Sequence, residues 1–115
     1  MSARAQTALA RAGRTYVPVF AALGDETRLG LVAKLCERSP LSISQLADGS
    51  KLTRQAITKH LVVLEGAGIV GSVKVGRECH YELDPKPIDG VRNYLEEVSR
   101  QWDGALGRLK AFVER

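Results

Sequence analysis

Residues 41–70, LSISQLADGSKLTRQAITKHLVVLEGAGIV, hold two amphipathic segments with their own start and stop signals, and their reading decides the fold. Ser42 followed three positions later by Gln45 has the form of a capping box, in which a hydroxyl and an amide satisfy free backbone groups at a helix start. Ile43, Leu46 and Ala47 give that short helix an apolar side, and Gly49 is placed to close it. Thr53 is a second N-cap. Behind it Ile57, Leu61 and Leu64 recur at i, i+4, i+7, which sets three large side chains on one face, until Gly66 or Gly68 ends the run. Two helices joined by about four residues form a helix-turn-helix. The opposite face of the second helix carries Arg54, Gln55, Thr58 and Lys59.

Beyond this stretch the period changes to two. Ile69, Gly71, Val73 and Val75 alternate with other residues, Gly76-Arg77-Glu78 turns, and Cys79, Tyr81 and Leu83 alternate again, so a β-hairpin is expected over 69–83. Pro85 and Pro87 suit the first turn of a last helix, expected over 87–114. Ile88, Val91, Leu95, Val98, Trp102, Ala105, Leu109 and Phe112 follow at steps of three and four. A helix of that length is about 40 Å long, more than the remainder of so small a domain covers, and an uncovered heptad stripe seeks a partner helix. Gly90, Gly104 and Gly107 weaken this helix and permit close approach by a neighbour.

Upstream, the first helices are expected over 14–37. Tyr16, Val17, Phe20 and Leu23 form a short apolar helix that Gly24 ends. Asp25 caps the next, where Leu29, Val32, Ala33 and Cys36 recur at helical spacing as its buried face, and Ser39-Pro40 stops it. The whole is read as one domain, residues 1–115, mainly α with a β-hairpin.

Composition narrows the function. A chain of 115 residues that is 44% hydrophobic can bury a modest core, and no apolar run approaches the roughly 20 residues of a membrane span. Cys36 and Cys79 lie far apart with no CxxC spacing, which fits a reducing compartment, and the chain is read as cytoplasmic. Its acid-free start resembles a transit peptide in composition, but a basic first helix packed on the domain is the preferred reading. Net charge is +4. From Lys51 to Arg77 there are five basic residues and one acid, Glu65, whereas the rest of the chain is balanced. Such a local excess suits a polyanion. No GxSxG, HExxH or P-loop pattern occurs and the carboxylates are scattered, so no enzyme, cofactor or metal centre is expected.

The stretches FAALGDETRLGLVAKL (20–35), LSISQLADGSKLTRQAITKHLVVLEGAGIV and VGRECHYEL (75–83) together resemble the ArsR/SmtB family of winged-helix bacterial repressors. The resemblance implies a winged helix-turn-helix, a homodimer clasped through its first and last helices, and repression relieved by an inducer that the sequence does not name. It also implies a dimer interface at Tyr16, Phe20, Val91, Leu95, Val98, Trp102, Leu109 and Phe112. The family's thiolate site lies at the start of the first helix of the pair, where this chain has Leu41, Ser42, Ile43, Ser44 and Gln45. Its other site uses histidines on the last helix, and none follows His80. Soft metals need clustered thiolate or imidazole, so control by metal is not expected.

Within that fold the polar face acquires a purpose. The first turn of a recognition helix reaches furthest into the major groove of double-stranded DNA, where Arg pairs bidentately with guanine and Gln with adenine. Arg54 and Gln55 are expected to read bases, and Thr58 and Lys59 to touch phosphates, with Lys51 and Thr53 beside the backbone at the helix start. His60 either donates to a phosphate, as the resemblance implies, or is packed without a role. Arg77 at the hairpin tip, with Lys74, either enters the minor groove or follows the backbone; a solubilising turn is the alternative. A twofold-symmetric operator is the expected partner. Two other functions compete: a protein-interaction module working through the heptad helix, and a redox regulator using Cys36 or Cys79. Both cysteines sit at positions read as core, which disfavours the latter.

Overall fold

A computed structural model of the chain describes residues 7–114 and runs α1 (Ala8–Leu23), α2 (Glu26–Glu37), β1 (Leu41–Ser42), α3 (Ile43–Ala47), α4 (Arg54–Gly66), β2 (Val70–Val75), β3 (Glu78–Leu83) and α5 (Pro85–Val113). Helix starts follow side-chain chemistry closely. Asp25 accepts from the Arg28 amide at 3.0 Å and Thr53 from the Ala56 amide at 3.1 Å. Ser42 and Gln45 form the reciprocal capping box, at 3.1 and 2.8 Å. Each satisfies an amide that the first helical turn leaves without an internal partner.

Four features depart from expectation. α1 begins at Ala8 instead of near residue 14, capped by Thr7, and it continues through Pro18, which removes one helical donor. α2 turns a different face inward: Leu31 and Leu35 are buried, whereas Leu29, Ala33 and Cys36 are exposed. Val32 of the expected stripe is partly buried and packs against the core, but Leu31 and Leu35 take the innermost positions, since two leucines bring more apolar surface than Ala33 and Cys36. Cys79 is exposed as well. It shares a strand face with buried Tyr81, but it lies toward the hairpin tip, beyond the core. Finally, Leu41 and Ser42 form a strand, pairing with Tyr81 and His80, so the hairpin is the larger part of a three-stranded sheet of order β1-β3-β2.

The core lies between α2, the helix pair and the sheet, and Val19 and Ala22 of α1 with Val91 of α5 complete it. Leu35, Leu46, Ile57, Leu61, Leu64 and Ile69 are its largest fully buried side chains, each contributing roughly 1.5–3 kcal/mol by leaving water. Residues 48–53 link α3 to α4, with Gly49 at φ +74°. The Lys34 ammonium reaches across from α2 and donates to the carbonyls of Leu46 and Asp48 at 2.9 and 3.0 Å, closing the C-terminal end of α3. At the end of α4 the Ile69 amide donates to the Leu64 carbonyl and the Gly68 amide to that of Glu65. With Gly68 at φ +78° and Ile69 and Leu64 both buried, this is a Schellman motif that delivers the chain straight into β2.

α1 and α5 pack side by side through two reciprocal insertions. The Tyr94 side chain of α5 lies over Gly13 of α1, and the Tyr16 ring of α1 lies over Gly90 of α5, close enough that a Cβ would stand 2.7 Å from the Tyr94 hydroxyl at Gly13 and 2.7 Å from a Tyr16 ring carbon at Gly90. The two rings meet at 5.7 Å and Phe20 adds an edge contact to Tyr94 at 6.2 Å. Past this seam α5 is alone: residues 101–114 are exposed throughout. The molecule measures 66 × 30 × 21 Å, and its radius of gyration of 19.0 Å compares with about 13 Å for a compact chain of this length.

Candidate nucleic-acid interface

The N-terminal half of α4 stands clear of the core. Its inner face is occupied by Ile57, Leu61 and Leu64, so Arg54, Gln55 and Lys59 project outward, and with Thr58 and Ile43 they line a shallow concavity between α3 and α4. The first amides of the helix open on the same side, adding a partial positive charge to that of Arg54. One Arg54 Nη donates to the Ser44 hydroxyl on α3, which directs the guanidinium along the helix pair. Thr53 uses its oxygen as the cap acceptor, so its proton is free to be donated. Lys51 is exposed just ahead of it.

Two expected phosphate contacts look different in three dimensions. The Thr58 hydroxyl donates to the Arg54 carbonyl at 2.8 Å, so its proton is taken up within the helix. His60 does not share the outward face. It lies at the flank of α4 against the junction of α1 and α2, with Nδ1 3.3 Å from an Arg28 Nη and 3.8 Å from the Asp25 carboxylate. Neither partner was legible from α4 alone, because both come from a distant helix start.

At the other end of the surface, β2 and β3 close with Gly76 at φ +64° and no positive φ at Arg77, the pattern of a type II′ hairpin turn. Arg77 and Lys74 are exposed there. Glu78 follows Arg77 and turns its carboxylate to His80 Nε2 at 3.1 Å, so the tip is less purely basic than the stretch ending at Arg77 suggested. Among the described residues, no three His, Cys, Asp or Glu side chains gather as a metal site, and no helix is long and apolar enough to cross a membrane.

The expected interface residues on the terminal helices divide. Val91 is buried within its own chain, and Tyr16 and Val98 are partly covered. Phe20, Leu95, Trp102, Leu109 and Phe112 are exposed, joined by Val17, Leu106 and Val113, which a strict heptad count omits.

A helix pair with a projecting, basic second helix, followed at once by a hairpin, is a winged helix-turn-helix, a class built to enter a DNA groove. Residues 25–72, from the cap of α2 to the start of β2, match the family described as bacterial regulatory protein, arsR family. The chain is 35% identical over 84 residues to the arsenical resistance operon repressor of Escherichia coli K12, covering 73% of this chain and 72% of that one. It is 43% identical over 79 residues to YuzN, an uncharacterized HTH-type transcriptional regulator of Bacillus subtilis 168, covering 64% and 86%. A solved ArsR-like transcriptional regulator from Rhodococcus sp. RHA1 superposes with a TM-score of 0.76 at 39% identity, covering 87% and 93%. The chain belongs to the ArsR family of DNA-binding transcriptional regulators, which are not enzymes.

Proposed function

We propose that this regulator works as a homodimeric repressor on a twofold-symmetric operator and is not controlled by metal. The observation that carries the DNA reading is the outward, acid-free first turn of α4, with Arg54 and Gln55 exposed beside free helix amides. Arg54 and Gln55 read base edges, Lys51, Thr53 and Lys59 meet the backbone, and Lys74 and Arg77 extend contact along the hairpin. Dimerisation is supported by the apolar face of α5 that α1 leaves open, from Leu95 to Val113. Two copies joined there would set their α4 helices in successive major grooves, about 34 Å apart.

The E. coli relative is named for arsenical resistance, but the corresponding chemistry is not supported here. At the start of α3, where a thiolate site would lie, the Ser42 and Gln45 side chains are engaged in the capping box. The exposure of both thiols favours one further reading, that Cys36 or Cys79 responds to oxidant, since access is what such a role requires.

Selection of bound duplexes from a random pool, followed by affinity measurement, tests the central reading. Arg54→Ala is expected to relax preference at one base pair per half-site, by about 1–3 kcal/mol, while Lys59→Ala reduces the salt slope without changing preference. Uniform weakening by Arg54→Ala would make it a phosphate contact. Addition of arsenite or zinc should leave binding unchanged, and release by either would overturn the metal-free reading.

A further inference from the structure

Arg28 occupies a junction that the DNA reading does not use. Its Nε donates to the Ala22 carbonyl at 2.6 Å and its Nη2 reaches the Ala21 carbonyl at 3.5 Å, both at the C-terminal end of α1. Its remaining Nη1 lies 3.3 Å from His60 Nδ1 on α4. The same Nδ1 is 3.8 Å from Asp25 Oδ2, and the two contacts make opposite demands on it. Arginine has no lone pair to offer and can only donate, so the Arg28 contact requires Nδ1 to be bare; an ion pair with Asp25 requires Nδ1 to carry a proton. The Arg28 distance is within hydrogen-bond range and the Asp25 distance is not. Asp25 Oδ2 already accepts the Arg28 backbone amide, the principal cause of its lowered pKa.

From this geometry we infer that Arg28 is a positioning residue: it fixes His60 as the neutral tautomer protonated at Nε2 and so presents a ready N–H donor at the flank of the recognition helix. The ring nitrogens point in well-separated directions, so an Nδ1 turned into the α1–α2 junction aims Nε2 away from it. The ring is partly exposed, with 25% of the side chain accessible. Among the described residues nothing accepts from Nε2, and the acceptor chemistry that suits a lone neutral donor beside a helix in a DNA groove is a phosphate oxygen. This second half of the inference rests on the DNA-binding reading above; the tautomer does not. Its consequence is specific. A neutral donor adds affinity without displacing a counterion, so the His60 contact, unlike that of Lys59, should be silent in the salt slope.

Two measurements on the full chain test the two halves separately. Long-range proton–nitrogen correlation spectra of labelled protein at slightly alkaline pH should show His60 protonated at Nε2 alone, and Arg28→Met should give a mixture of tautomers. Arg28→Lys is the second variant, keeping a cation for the α1 carbonyls while removing the fork. A wild-type ring protonated at Nδ1, or one unchanged by both variants, would overturn the assignment whatever the protein does with DNA.

The other measurement is affinity for a mixed-sequence duplex of about two helical turns. His60→Asn, which keeps only the Nδ1-like end, should weaken binding about two- to tenfold with an unchanged salt slope, whereas His60→Gln, which restores a donor near Nε2, should bind within about twofold of wild type. Arg28→Met introduced alone should lose only part of what His60→Asn loses, in proportion to the rings that leave the Nε2–H tautomer, and should add nothing to His60→Gln. Equal losses in both backgrounds would make Arg28 merely structural. If His60→Asn bound as wild type, the phosphate half would be refuted and the tautomer result would stand.

Discussion

The head of this protein, α2 through β3, and its limb, the α1–α5 pair, solve the burial problem differently. The head is closed over, with Val19 and Ala22 of α1 and Val91 of α5 completing its core: Leu46, Ile57, Leu61, Leu64 and Ile69 lose essentially all contact with solvent. The limb is not. α5 spans 29 residues, yet only Val91 on it is buried, and Trp102, Leu109, Phe112 and Val113 remain more than half exposed. The limb helices have the more strongly one-sided pattern, yet theirs is the stripe left uncovered, so pattern alone does not say whether a stripe will be covered by its own chain. The lesson is that the head is covered by its own chain while the distal half of α5 is left uncovered.

That contrast can be broken in order of expected effect on unfolding free energy. Leu64→Ala should cost about 2–5 kcal/mol, through lost transfer energy and a cavity that closed packing cannot refill, as measured by denaturant titration. Gly90→Ala, at the α1–α5 seam within the limb, sets a methyl against the Tyr16 ring. Overpacking of about 1–3 kcal/mol is offset by up to about 1 kcal/mol of helix propensity, and the net loss should reverse sign in a Tyr16→Leu background. Thr53→Ala should cost about 1 kcal/mol through the cap of α4.

Asp25→Ala carries a pH signature. Because the Arg28 amide holds the carboxyl below its ordinary range, the stabilisation it gives is complete above that range, about pH 4, and is lost as pH falls through the folded-state value. Melting curves of wild type and variant should therefore differ near neutrality and converge in acid. Leu109→Glu should leave the stability of the head unchanged and yet shift sedimentation from dimer to monomer. Loss of head structure in that variant would erase the distinction between the two regions.

Legibility in the sequence followed the range of the interactions involved. The caps at Asp25, Ser42 and Thr53 and the Ile57, Leu61, Leu64 stripe depend on residues within one or two turns, and all could be read directly. The rotation of α2 could not, since two rival stripes were available and only packing against the sheet and helix pair decides between them. β1 is two residues long and has no period to detect. Strand parity placed Cys79 on the face of Tyr81 correctly, but parity does not say how far the core extends beneath that face. Of the candidate contacts, Arg54, Gln55 and Lys59 stand outward as their spacing required, whereas His60 takes its partners from 32 and 35 positions away.

Gly90 also did what a small residue in a helix allows, accepting Tyr16, while Gly104 and Gly107 face no other element among the described residues.

Gly68 turns the end of α4 into a hinge without play. With the Leu64 carbonyl bonded to Ile69, and the Ile69 carbonyl in turn holding the Asp84 amide at 2.9 Å, the reading helix and the base of the hairpin share a single brace. Neither can be tilted without dragging the other. A change of operator preference is thus most cheaply reached by exchanging side chains on a fixed frame, and an insertion of even one residue at this elbow would misalign both grips at once.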